Sequence, residues 1–180
     1  MTGTASEDAE RRLLREKTVL AHFEAENQHD IAATLATFKS GSARTELPGE
    51  VADGPDAVAD AYRELFTALP DMRFSDITPG SLCHQGDRVI LESRVQGTHD
   101  GPYRGLPPTG RRIDLPLVAI FEFDGTDLLC ERAYFDRLAM LMQLGVARDP
   151  NTRVGRVMTL LNHPVMIARA ALRSRSVGNS

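Results

Sequence analysis

The hydrophobic pattern changes period once, near Met72, and that change restricts the fold more than any other feature of the 180 residues. Before it, apolar residues recur at helical spacing. Val58, Tyr62, Leu65, Phe66 and Leu69 fall at i, i+4, i+7, i+8 and i+11, one face of a helix. That helix is predicted from Asp53-Gly54-Pro55, where proline suits the first turn, to about Leu69, with Pro70-Asp71 ending it. Two helices are predicted ahead of it. Residues 7–28 have Ser6 as cap, acids in the first turn, and a stripe of Leu13, Leu20 and Phe23. Residues 30–38 have Asp30 as cap and an apolar face of Ile31, Leu35 and Phe38. Residues 42–47 read as a short strand. After Met72 the spacing turns to strands, near 72–84, 87–99, 111–123 and 127–136. Hairpin turns fall at Gln85-Gly86-Asp87 and Asp124-Gly125-Thr126-Asp127. Residues 100–110 hold three glycines and three prolines, a longer and stiffer connection than a hairpin needs.

Helices followed by an antiparallel meander argue an α+β fold. A curved sheet with helices packed across one face closes a cone, and a cone has a pocket. Residues 1–147 are the expected cone domain, with 137–144 a last helical turn. Residues 148–180 are an expected helical extension, two short helices broken at Asn162-His163-Pro164.

Composition excludes several classes. Apolar residues make up 42% and charged residues 26%, a globular balance. No stretch approaches ~18 uninterrupted apolar residues, as a membrane span requires. The first ten residues are acidic and show no secretory pattern. Cys83 and Cys130 make no disulfide framework. A cytoplasmic protein with free thiols is expected. Residues 1–147 carry 15 Lys+Arg against 24 Asp+Glu, which argues against nucleic acid as a partner. Residues 148–180 carry six arginines and only Asp149. Such a basic amphipathic tail suits packing on the acidic body, of the same chain or a dimer mate; a membrane surface is the less favoured use.

Several segments together resemble the SnoaL-like polyketide cyclase family of the nuclear transport factor 2-like superfamily. They are Asn27-Gln28-His29-Asp30, Gly54-Pro55-Asp56-Ala57-Val58, Pro70-Asp71-Met72, Gly97-Thr98-His99-Asp100-Gly101, Gly105-Leu106-Pro107-Pro108-Thr109-Gly110, and Asp136 followed by Gln143-Leu144-Gly145. The resemblance spans roughly residues 15–147. It implies a cone fold, a homodimer formed through the sheets, and Asp136 as the general acid/base. It implies cofactor-independent proton transfer (aldol cyclisation, isomerisation or dehydration) on a hydrophobic carbonyl-bearing or polycyclic molecule. A non-catalytic domain binding a small apolar ligand is the alternative, and a structural dimer a third reading, because this fold hosts binders as well as enzymes.

The residues supply candidates beside Asp136. Arg132, Tyr134 and Asp136 share a face of the last strand. If that face is the pocket, Tyr134 is a hydrogen-bond donor and Arg132 a charge partner; Asp136 is equally suited to cap the turn that follows. Glu122, on the strand before, is a second carboxylate that would raise the pKa of Asp136 by repulsion, or else a solvated strand end. The strand carrying Glu122 lacks the glutamine and histidine the cyclases place there. Glu92 and Arg94 form a polar patch, inside the cone or on its outside. His99 is a loop anchor or a substrate contact. Phe23, Tyr62 and Phe66 are core residues and candidate substrate walls. No His-x-His or HExxH spacing occurs, so neither a metal site nor a cofactor is expected.

Overall fold

A computed structural model describes residues 2–162 and 164–166. The chain divides into two compact units, Met1–Leu144 and Gly145–Ser180.

The first unit runs α1 (Thr2–Asn27), α2 (Ile31–Ala36), β1 (Arg44–Leu47), β2 (Glu50–Asp53), α3 (Pro55–Ala68), β3 (Arg73–Ser75), β4 (Cys83–Gln85), β5 (Arg88–Thr98), β6 (Arg112–Asp124), β7 (Asp127–Phe135) and α4 (Arg137–Gln143). One curved seven-stranded sheet has the order β2-β1-β7-β6-β5-β3, with β4 also paired to β5. The long strands β5, β6 and β7 pair antiparallel. The β1–β7 junction is parallel and short, Thr45 opposite Glu131 and Glu46 opposite Arg132. The α+β class read from the sequence is the class observed.

Two elements depart from expectation. The strand predicted over 72–84 is two three-residue strands, because Pro79–Ser81 forms a 3₁₀ turn between them. The strand β2 was not foreseen. It folds back on β1 through Pro48-Gly49, with Gly49 at φ 80°, and four residues alternating intermediate and exposed give little hydrophobic signal.

The buried stripe of α1 also differs. Leu13 is exposed, and the inward positions are Arg15, Val19, His22, Phe23 and Glu26. Their spacing of i, i+4, i+7, i+8, i+11 is one helix face, so three ionisable side chains are carried into the interior. Arg15 is only 2% exposed. Its guanidinium donates to the carbonyls of Gly125 and Gly86 at 2.7 and 2.9 Å and to Asp87 at 2.8 Å, tying the helix to both hairpin turns. The Asn27 side chain continues the docking, exchanging two hydrogen bonds with the backbone of Phe74.

Strands β5 and β6 alternate cleanly, while a bulge in β7 leaves Cys130 and Glu131 both buried. Val89, Leu91 and Val95, then Ile113, Leu115, Leu117, Ala119 and Phe121, then Ala133, face the helices and form the core. The other face is polar. There Arg132 lies between Glu46 at 2.6 Å and Glu122 at 3.1 Å, and Arg88 also reaches Glu122 at 2.7 Å.

In the second unit, α5 (Arg153–Asn162) is capped by Thr152, whose hydroxyl accepts from the Gly155 amide at 3.0 Å. Pro164–Met166 are helical; the rest of the second predicted tail helix lies outside the described residues. No described helix is long and apolar enough to cross a membrane.

Candidate active site

Between the helices and the inner face of the sheet lies a cavity of about 100 Å³. Its walls are mostly apolar: Leu65 and Leu69 from α3, Leu115 and Leu117 from β6, Phe135 from β7, Met140 from α4. Polar groups enter from Thr45 on β1 and in three further places. Glu26, Tyr62 and Glu131 meet at one, His99 stands at another, and Tyr103 and Arg104 form a rim. Arg104 is pinned there by Glu50 at 2.6 Å and Glu64 at 3.2 Å. The loop 100–110 thus edges the cavity.

The first group is the chemical centre. Glu131 reaches it from β7 and Tyr62 from α3, while His22 and Glu26 are one turn apart on α1. Tyr62 donates its hydroxyl proton to Glu131 Oε2 at 2.9 Å. His22 Nε2 lies 3.2 Å from the Tyr62 oxygen, 3.4 Å from Glu131 Oε2 and 3.7 Å from Glu26 Oε1. His22 Nδ1 lies 2.6 Å from Thr37 Oγ1, whose own proton goes to the Thr34 carbonyl at 2.6 Å. Nδ1 must therefore donate. Nε2 then faces three oxygens, and since the Tyr62 proton is committed to Glu131, it is satisfied there only by carrying a proton as well. The hydrogen bonds thus assign His22 as an imidazolium.

Electrostatics agree. Burial works to hold the His22 pKa down, but Glu26 and Glu131 outweigh it and the net shift is upward. Burial, with repulsion from Glu131, pushes the Glu26 carboxyl up to about 8. Burial likewise drives the Tyr62 phenol well above its ordinary range, with both carboxylates adding to it. Glu26 Oε2 has no hydrogen-bond partner among the described residues.

The ligand atoms of His22, Glu26 and Glu131 lie within 4.8 Å of one another, a spacing a divalent ion could also use. Motif spacing could not reveal this group, because Glu131 is more than 100 residues from the pair on α1.

The second polar point is set by the Gly97–Gly101 motif. A side chain at Gly101 would put Cβ 2.0 Å from the Thr67 carbonyl oxygen, and Gly97 is held near Leu69 and Met72. The amides of Asp100 and Gly101 both donate to the Ala68 carbonyl at 3.1 Å. Asp71 takes the Thr98 amide and hydroxyl at 2.5 and 2.8 Å, bonds that hold its carboxyl below the usual range. These contacts seat His99, buried, against the cavity.

Of the site candidates named from sequence, Tyr62 and His99 line this cavity. Phe23 is core, edge-on to Phe74 and Phe121. Phe66 stacks on His29 with ring centroids 4.3 Å apart. The remaining candidates are corrected by strand parity, which turns them to the outer face. Asp136 is exposed and caps α4, accepting from the Ala139 amide at 3.0 Å. Tyr134 is 50% exposed. Glu122 and Arg132 are paired with each other, and the Arg132 hydrogen bond holds Glu122 below its ordinary pKa. Arg94 pairs with Asp114 at 2.6 Å. Glu92, Arg94, Tyr134 and Asp136 edge an open depression on that outer face. The inward carboxylate of β7 is Glu131, one residue from the outward Arg132.

A family model for SnoaL-like polyketide cyclases matches residues 16–144. The chain belongs to that family. The SnoaL-like match takes in every cavity residue and ends where the second unit begins. No curated protein matches the chain closely. Among solved structures, a proposed SnoaL-like polyketide cyclase from Jannaschia sp. CCS1 is 21% identical with a TM-score of 0.66, covering 76% of this chain and 94% of that one. A phenazine biosynthesis-related protein from Pseudomonas aeruginosa is 17% identical with a TM-score of 0.67, covering 82% and 90%. A protein with a ketosteroid isomerase-like fold from Catenulispora acidiphila is 14% identical with a TM-score of 0.60, covering 72% and 92%. At these identities the likeness concerns the fold.

Proposed function

We propose that this SnoaL-like protein is a cofactor-independent enzyme that moves a proton on a hydrophobic carbonyl compound, with Glu131 as its acid/base. The observation that carries this reading is a carboxylate in an apolar cavity, one oxygen fixed by the Tyr62 hydroxyl and faced by the His22 ring. Glu131 takes the proton from the carbon beside the carbonyl, and the C–H electron pair moves onto the carbonyl oxygen. Returning the proton to another carbon or to an oxygen gives isomerisation, dehydration or aldol closure. The His22 imidazolium balances the charge on Glu131 in the resting site, and Tyr62 orients the carboxylate. Apolar walls exclude water and favour a substrate with little polar surface.

The test is hydrogen–deuterium exchange at the α-carbon of 2-tetralone in D₂O, followed by proton NMR. The wild type should accelerate exchange over buffer, and Glu131→Gln should lose about 100-fold of that acceleration. Asp136→Ala, altered outside the cavity, should leave it unchanged. Ketone that binds without exchange would favour the ligand-binding alternative, and accelerated exchange that survives Glu131→Gln would remove Glu131 as the base.

A further inference from the structure

The geometry points to His99 as a preset hydrogen-bond donor that selects ligands bearing a carbonyl oxygen. The argument begins with which ring nitrogen holds the proton. The Thr109 amide donates to His99 Nδ1 at 3.2 Å, and an amide cannot accept. The Thr109 hydroxyl lies 3.1 Å from the same nitrogen and itself receives the Arg111 amide at 3.4 Å, which leaves its proton free for Nδ1. Nδ1 is therefore an acceptor, and the ring proton sits on Nε2.

That Nε2–H is buried and has no hydrogen-bond partner among the described residues. A buried donor without a partner is destabilising, yet the chain holds this one firmly. The His99 amide donates to the Arg111 carbonyl at 2.9 Å, and the His99 carbonyl receives the Thr109 and Gly110 amides at 3.1 and 2.9 Å. Swinging the ring away to find another acceptor would break both of its contacts with Thr109, the amide at 3.2 Å and the hydroxyl at 3.1 Å. Since His99 lines the cavity, what supplies the missing acceptor is the occupant. The class that fits has a ketone or ester oxygen on an apolar skeleton. A hydrocarbon leaves the donor bare, and an ammonium presents a donor to a donor. This deepens the proton-transfer reading and rests on it for one point, that the acceptor is the carbonyl beside the reacting carbon.

The test compares 2-tetralone with its carbon isostere, 2-methylenetetralin, by NMR titration of the ¹⁵N-labelled protein. In the free protein, long-range ¹H–¹⁵N spectra should show His99 protonated at Nε2. Ketone should shift that resonance and the isostere should not. The wild type should prefer ketone over isostere by about tenfold more than His99→Phe does. The inference is overturned by an Nδ1–H tautomer, by ketone binding that leaves the resonance unmoved (a bound water alone holding the donor), by an equal preference in His99→Phe, or by no ketone binding at all. The wild-type spectra stand even if the variant fails to fold. Binding selectivity with no α-carbon exchange would retain the His99 donor and sink only the proton-transfer reading.

Discussion

The Glu26 side chain shows how burial at one residue sets the pH behaviour of the fold. In the folded chain its carboxyl stays neutral up to about 8, against an ordinary value of 4.5. Across that window the native state holds a proton the unfolded chain has released, so stability falls as pH rises. His22 acts in the same direction. Its raised pKa contributes stability that is complete below its ordinary 6.5 and is lost as pH rises through the folded value. The melting temperature should therefore fall between pH 5 and pH 9. Glu26→Gln should flatten the fall and melt higher than the wild type at pH 9. A melting temperature that climbs with pH over this range would contradict the assignment of the buried proton. Much of this residue-level chemistry was hidden in the sequence, because a search for apolar stripes on α1 passes over His22 and Glu26. The signal was nonetheless there: both share the helix face of Val19 and Phe23.

At the scale of elements, the helices of the first unit and the three long strands were legible, since each carries a periodic pattern over six or more residues. What escaped were the short β2 and the break that divides β3 from β4, features set by neighbours more than by their own sequence. The choice of sheet face escaped too. Arg132, Tyr134 and Asp136 share a parity, and so do Glu131, Ala133 and Phe135. Each set holds an acid and an aromatic, so the strand itself does not say which faces in; its contact with α3 decides. The motif Gly97–Gly101 is an element of another kind, a seam between the end of α3 and the loop 100–110. Gly101→Ala would force a Cβ to within 2.0 Å of the Thr67 carbonyl oxygen, and backbone on both sides must yield. The variant should lose on the order of 3 kcal/mol or fail to fold. Chemical denaturation measures this, and a loss below 1 kcal/mol would show that the seam gives way easily.

For the whole molecule, the two units carry opposite charge. Residues 1–147 hold nine more acidic than basic side chains, and residues 148–180 hold five more basic than acidic. On α5, Val154, Val157 and Leu161 are exposed beside Arg153 and Arg156. If this tail packs on an acidic protein surface, apolar contact and charge attraction act together. Truncation after Asp149 should then lower the melting temperature or shift the sedimentation coefficient toward a smaller species. The full chain should stay in solution with anionic vesicles. Unchanged stability and assembly, with salt-sensitive vesicle binding by the full chain alone, would assign the tail to a lipid surface.

The shared protons of His22, Glu26 and Glu131 have a calorimetric consequence. A ligand seated against them strips water from Glu26 and raises its affinity for a proton further. Near pH 8, where that carboxyl is half ionised in the empty cavity, binding must draw protons from the buffer. Titrations in phosphate and in Tris, whose ionisation heats differ widely, would then give different apparent enthalpies for the same ligand, and the slope between them would count the protons taken up. An apolar ligand with no charge of its own would bind more weakly as the solution is made alkaline.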